Sequence, residues 1–295
     1  MTHGIDIGTF GIWTSLLDLH PTTRVREVVA ELDEMGWGCL WRPESTGRDP
    51  LISAALWLDA CPRMAVATGI AQTYARHPLT TMAANRTLEE AFPGRFLLGL
   101  GVSHAPMVEG VRNLDYSKPL SDMSAYLDAM DQAPYTALGD EARPPRILAA
   151  LGPKMLALSA EKADGAHPYF TTPEHTAQAR EIIGPDKFLA PEHMVVLETD
   201  PDKARAIARP NMARYLQLPN YTRNLIRLGF TETDISEVSD RLVDAIVLWG
   251  DVEQIVPRVR EHLDAGADHV CIQALVADPT DLPIQDWRRL AEALL

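Results

Sequence analysis

The chain has 295 residues, 46% of them hydrophobic, which suits one large domain or two medium ones with ample core. Its formal net charge of −14 repels polyanions over most of the surface, and no basic stripe or Arg-rich tail offsets it, so nucleic acid is not expected as a partner. Three widely spaced cysteines, Cys39, Cys61 and Cys271, argue against a disulfide framework or a CxxC metal or redox site.

Short apolar runs alternate with amphipathic stretches along the chain. Residues 5–13 read as a strand. Residues 22–35 follow as a helix, with Val25, Val28, Val29, Leu32 and Met35 at helical spacing and Gly36 closing it. Residues 38–41 are the next strand and 50–61 a helix, for which Asp49 before Pro50 is the expected N-cap. Residues 64–70 and 96–101 read as strands three and four, each followed by a helix, at 78–91 and 117–132. Strands follow at 147–151, 166–169 and 194–198, each leading into a helix, at 153–163, 174–183 and 201–216. Residues 220–247 read as all-helical. A helix at 251–265, a strand at 269–274 and a helix at 284–294 end the chain.

Strands alternating with helices imply a parallel sheet with helical crossovers. Eight repeats over this length predict a closed (β/α)₈ TIM barrel, an α/β fold, spanning 1–295 as one domain. Residues 102–118, after strand four, and 220–247, in the C-terminal third, read as insertions. GxGxxG is absent, which removes the main support for a dinucleotide-binding Rossmann domain. HExxH and GxSxG are absent too, so neither a metal site nor a serine hydrolase is expected. The start of the chain lacks a signal-peptide pattern, and no run of about twenty apolar residues suggests a membrane span. A cytoplasmic protein with a small-molecule substrate is the expectation.

In a TIM barrel, chemistry sits at the C-terminal strand ends. Those ends carry Trp13, Trp41-Arg42-Pro43-Glu44, Gly69-Ile70 with Tyr74 beyond, Gly101-Val102-Ser103-His104, and Leu151-Gly152-Pro153-Lys154. The last stretch reads as an anion site, because a glycine turn precedes a helix start that has proline in its first turn and a lysine beside it. An ordinary strand–helix turn is the competing reading. His104 titrates near neutral pH and is the first acid/base candidate. Glu44 is the second, against a structural carboxylate paired with Arg42 or Arg48. Trp13, Trp41 and Tyr74 are the candidate substrate walls, although tryptophans at strand ends often only pack.

Taken in order, "GTFGIWT", "LWRPESTGRDPL", "VATGIAQTYARHPLTTMAA", "PGRFLLGLGVSHAPMVEG", "LAALGPKMLALSAEKADGAHPYFTTPEH" and "WGDVEQIVPRVREHLDAGADHVCIQ" resemble the luciferase-like oxidoreductases, above all the branch that uses coenzyme F420. The resemblance implies a (β/α)₈ barrel and hydride transfer between a deazaflavin and a small organic substrate. It implies a cis, non-proline Gly69–Ile70 peptide backing the cofactor ring, Val102 and Ser103 beside the ring, and Gly152-Pro153-Lys154 around the cofactor phosphate. His104 stands where some members have a glutamate. Arg76, Lys154, Lys162, Arg180 and Lys187 are the cations considered for the acidic F420 tail. FMN, with reduced flavin and O2 in a monooxygenase, is the alternative cofactor. A non-catalytic flavin-binding barrel is the third reading. The resemblance also implies a homodimer and a separate cofactor reductase.

Overall fold

The computed structural model describes residues 5–139, 142–278 and 280–295. Its strands are β1 (Phe10–Trp13), β2 (Cys39–Arg42), β3 (Ala65–Thr68), β4 (Ala71–Gln72), β5 (Phe96–Gly101), β6 (Arg146–Leu148), β7 (Gly165–Ala166), β8 (Phe188–Leu189), β9 (Glu192–Val196), β10 (Val247–Trp249) and β11 (Val270–Ala274). Its helices are α1 (Thr22–Glu34), α2 (Pro50–Ala60), α3 (Pro78–Ala91), α4 (Ala105–Val108), α5 (Pro119–Asp131), α6 (Pro153–Lys162), α7 (Pro173–Ile183), α8 (Pro201–Tyr215), α9 (Pro219–Arg227), α10 (Glu232–Glu237), α11 (Asp240–Ile246), α12 (Val252–Asp264) and α13 (Ile284–Leu294). Proline opens most of these helices, at the position where its missing N–H costs nothing. Asp49 caps α2 by accepting from Leu51 N and Ile52 N at 2.9 and 3.0 Å.

All strand pairs are parallel, and the order runs β11-β1-β2-β3-β5-β6-β7-β8. The ring closes through residues 188–196, which form one run broken by Pro191. On one side, Ala190 N and Glu192 N donate to Ala166 O and Pro168 O. On the other, Glu192 to Val195 pair with Cys271 to Ala274. The expected (β/α)₈ barrel is present, with two differences of detail. Strand seven starts at Phe188 rather than Met194, because Pro191 and Glu192 mask its apolar pattern. The 220–247 region is helical as expected (α9 to α11), but it ends in an extra strand, β10, that pairs with β9.

Side chains alternate with the period of two that a strand imposes. Ile12, Leu40, Val66, Leu98, Leu148 and Ile272 face the helices. Trp13, Cys39, Trp41, Ala67, Leu97, Ile147 and Cys271 fill the barrel, with Ile5 and Ile7 packed among them. By the same alternation Gly99 and Gly101 face inward. A Cβ on Gly99 would stand 2.0 Å from Thr68 O, and one on Gly101 would stand 2.5 Å from Ile70 Cδ1. The third barrel strand therefore leans across the fourth, and only glycine tolerates it there.

Candidate active site

A cavity of about 490 Å³ opens at the C-terminal ends of the strands. That end carries the active site in barrels of this kind. Between β3 and β4 the Gly69–Ile70 peptide is cis. Gly69 N donates to Arg42 O at 2.7 Å, and Trp13 Nε1 donates to Gly69 O at 2.9 Å. Gly69, Ile70, Gly101 and Val102 form one wall of the cavity. A Cβ on Gly69 would lie 2.9 Å from Trp13 Nε1, so this wall is kept low by the absence of a side chain.

After β5 the chain turns through Ser103, which has φ +59°. A left-handed serine is locally unfavourable. The Tyr116 hydroxyl holds the turn by donating to Ser103 O at 2.7 Å. The turn returns His104 to the cavity at the start of α4, packed against Tyr221 with ring centroids 5.4 Å apart. Burial pulls the His104 pKa below the usual imidazole value, and a hydrogen bond to the Asn220 side chain opposes part of that. The imidazole is therefore predominantly neutral at pH 7 and able to accept a proton.

Glu44 also lines the cavity, but its oxygens are taken. Arg76 grips both of them at 2.7 and 2.8 Å, and Gln72 N donates at 2.6 Å. The pairing with Arg42 or Arg48 considered from sequence does not occur: Arg42 binds Asp18 and the Arg48 carbonyl. Glu44 instead ties the end of β2 to β4.

The opposite side is aromatic. Tyr169, Tyr215 and Tyr221 line it with Trp13, and the Tyr169 hydroxyl lies 2.7 Å from that of Tyr215 and donates to Gln273 Oε1 at 2.8 Å. Burial holds the Tyr169 and Tyr221 hydroxyls well above the usual phenol pKa, so they stay neutral. Below them Glu192 is fully buried, with burial raising its pKa to about 8. Its Oε2 accepts from Phe170 N at 3.2 Å. Tyr215 and Tyr221 come from α8 and α9, far along the chain. Tyr221 lies in the 220–247 stretch read from sequence as an insertion, whereas nothing in its local sequence sets Tyr215 apart from an ordinary helix-face aromatic.

Leu151 and Gly152 reach the cavity, but Pro153 and Lys154 do not line it. Lys154 lies instead along a shallow groove with Leu120, Asp128 and Glu161. The other cations considered from sequence are spent on the scaffold. Arg76 binds Glu44 and Asp49, and Lys162 binds Asp128. Arg180 binds Asp268, and Lys187 donates to Ala163 O. The cations at the mouth are ones the sequence did not single out. Arg214 is on the lining, and Arg227 Nη2 is 3.9 Å from where a Gly152 Cβ would stand. Both belong to the helices after β9, so strand-end spacing gave no sign of them.

Two of the three candidate substrate walls are displaced. Trp41 is wholly buried beneath the floor, stacked on His167 and donating to His269 Nε2. Tyr74 lies outside the lining and donates to Asp122 Oδ2 at 2.5 Å. Trp13 remains on the cavity. His167, at the end of β7, lines the floor. Among the described residues there is no group of three or more His, Cys, Asp or Glu placed to hold a metal, and no helix is long and apolar enough to cross a membrane.

Comparison with known proteins agrees with this geometry. The family model described as luciferase-like monooxygenase matches residues 8–269. A Mycobacterium tuberculosis (strain H37Rv) protein named as a coenzyme F420-dependent oxidoreductase is 25% identical, over 93% of this chain and 96% of its own. An F420-dependent secondary alcohol dehydrogenase, solved with an F420–acetone adduct, superposes with a TM-score of 0.77 at 14% identity, covering 97% of this chain and 99% of that one. The oxygenating constituent of 3,6-diketocamphane monooxygenase from Pseudomonas putida, solved with FMN, superposes at 0.71 with 12% identity, over 97% and 98%. With the matched segment spanning nearly the whole barrel, the chain belongs to the luciferase-like monooxygenase family.

Proposed function

We propose that this chain is a coenzyme F420-dependent oxidoreductase acting on a small organic substrate, either a carbonyl/alcohol pair or an activated double bond. The observation that carries this reading is one cavity in which a glycine-lowered wall, Gly69–Ile70 with Gly101 and Val102, stands beside a half-buried neutral histidine, His104. The residues fit a flat tricyclic ring with an anionic tail. Gly69, Ile70, Gly101, Val102 and Ser103 would hold the ring. Leu151 and Gly152 would hold the start of the tail, with Arg214 and Arg227 facing its charge. When bound, the deazaflavin supplies a ring carbon that gives or accepts a hydride.

His104 takes the proton from an alcohol hydroxyl in the oxidising direction and returns one in the reducing direction. Its depressed pKa suits the base role at neutral pH. The aromatic side, Trp13, Tyr169 and Tyr221, excludes water and favours an apolar substrate. Glu44 holds β4, and with it Gln72 on the lining, by accepting from Gln72 N, and Arg76 holds Glu44 in place. In this reading the protein is a cytoplasmic homodimer, served by a separate reductase that restores the cofactor. The name of the mycobacterial relative supports F420, and the FMN-bound structural neighbour favours the alternative of a flavin monooxygenase. Titrating the purified protein with each cofactor and following its fluorescence tests the choice. Tight F420 binding is expected. Tight binding of FMN alone would overturn the reading.

A further inference from the structure

The cavity floor holds a buried nitrogen whose lone pair has no protein partner. His167 is only 2% exposed. Its Nδ1 lies 2.7 Å from the Ala190 carbonyl. A carbonyl only accepts, so Nδ1 carries the proton and Nε2 presents a lone pair. Among the described residues no group donates to that Nε2. The ring cannot turn away, because it stacks on Trp41 with centroids 4.6 Å apart and planes 16° apart. Trp41 is fixed in turn: its Nε1 donates to His269 Nε2 at 3.0 Å, and His269 Nδ1 donates to Gly8 O at 2.7 Å. Two side chains, Trp41 and His269, and two backbone carbonyls, of Ala190 and Gly8, thus hold one acceptor in one orientation.

Charging the imidazole gives no escape, since burial pushes its pKa down to about 4. The acceptor faces the ligand wall. A Cβ on Gly69 would stand 3.1 Å from Nε2. The neighbouring indole donor of Trp13 is committed to Gly69 O. A buried acceptor without a donor is costly, and a ligand that brings an N–H removes the cost on binding.

We propose that His167 Nε2 accepts a hydrogen bond from the imide N–H of the cofactor's pyrimidinedione ring, and so sets which end of the flat ring enters the barrel. The inference rests on the reading above that a deazaflavin or flavin ring occupies this cavity. It goes further by naming the ligand atom and the residue that recognises it. Both cofactors carry that imide, whereas at the opposite end of the ring system the deazaflavin has a hydroxyl and FMN has methyl groups. The far end of FMN therefore offers no donor.

The test is a binding cycle. The wild-type protein, His167→Leu and His167→Gln are titrated with F420, with FMN and with FMN methylated at the imide nitrogen. Thermal melting of each ligand-free protein reports folding. The wild type should bind the parent FMN about tenfold or more tighter than the methylated ring. In His167→Leu that difference should shrink to within about twofold, while His167→Gln, which restores an acceptor, should recover part of it. A purely structural His167 would change melting and both affinities together, and would leave the discrimination intact. Equal affinity of the wild type for both rings overturns the assignment, as does undiminished discrimination in His167→Leu. Should His167→Leu fail to fold, the wild-type comparison and His167→Gln still decide. Tight F420 binding with no such discrimination sinks this inference alone. Binding of FMN but not F420, with discrimination that depends on His167, sinks the F420 reading and leaves this one standing.

Discussion

Replacing Glu44 by glutamine separates an anchor from a proton carrier. The Glu44 and Arg76 side chains are 8% and 11% exposed, and the pair is bidentate at 2.7 and 2.8 Å. Breaking a buried pair by neutralising one partner costs about 3–5 kcal/mol, because the other charge stays desolvated. Asp49 Oδ2, 3.1 Å from Arg76, still faces the guanidinium and argues for the lower end, about 3 kcal/mol. The amide also turns an NH₂ toward groups that themselves donate, Arg76 and Gln72 N. Urea unfolding should show the midpoint falling with an unchanged slope, and melting should drop by roughly 6 °C or more for a chain of this size. The pH profile of the surviving activity should keep its shape, because Glu44 moves no proton. A loss under about 1 kcal/mol, the value of an exposed ion pair, would refute the anchoring argument. A displaced pH profile would return Glu44 to the chemistry.

His104→Ala should lower kcat by about 10²–10⁴-fold, the usual worth of a positioned acid/base. Cofactor affinity should change little, and wild-type turnover by this variant would reject the role. In the wild type, alcohol oxidation should rise with pH with its midpoint below about 6.5, since the His104 pKa lies below the usual imidazole value. Arg227→Ala should weaken cofactor binding, while Lys154→Ala should leave it unchanged. The reverse order would restore the lysine to the phosphate site.

Stability should peak at about pH 7. His167, His262 and His269 are pushed down to about 4 by burial, so below pH 6.5 the unfolded chain takes up protons that the native state refuses, and stability falls. Glu192 acts in the opposite sense. With its native pKa raised to about 8, the folded state holds a proton the unfolded state has lost, so stability also declines from about pH 4.3 up to 8. His193 is shifted down in the same sense by burial, so four histidine protons against one carboxyl proton give a net slope of about 4 kcal/mol per pH unit near pH 5. Urea midpoints at about pH 5, 7 and 8 check this, and a flat profile would contradict the buried neutral histidines.

The barrel was legible in the sequence because each strand buries both faces and each helix buries one, leaving alternating apolar runs and 3.6-residue stripes. "LGLGVSHAP" was legible only in part. Its histidine marks the exit into the cavity, whereas the crowding that requires its glycines comes from Thr68 O and Ile70, which only the fold brings against β5. Strand seven was placed too late, since its first half carries Pro191 and a buried Glu192 where an apolar pattern was sought. The partners of charged groups were not legible at all. Whether a cation serves a ligand or the scaffold depends on what the fold brings within 3 Å of it. Lys162, Arg180 and Arg76 met carboxylates, whereas Arg214 and Arg227 were carried to the mouth by helices remote in sequence. His167 shows the same division. The chain specifies a histidine at the end of a strand. Only the packing of Trp41, the carbonyl of Ala190 and the bare Cα of Gly69 decide that its free nitrogen is an acceptor aimed at a ligand. Local pattern determines which face is buried. Tertiary contact decides which polar atoms remain unpaired there, and those atoms are the ones that can recognise something else.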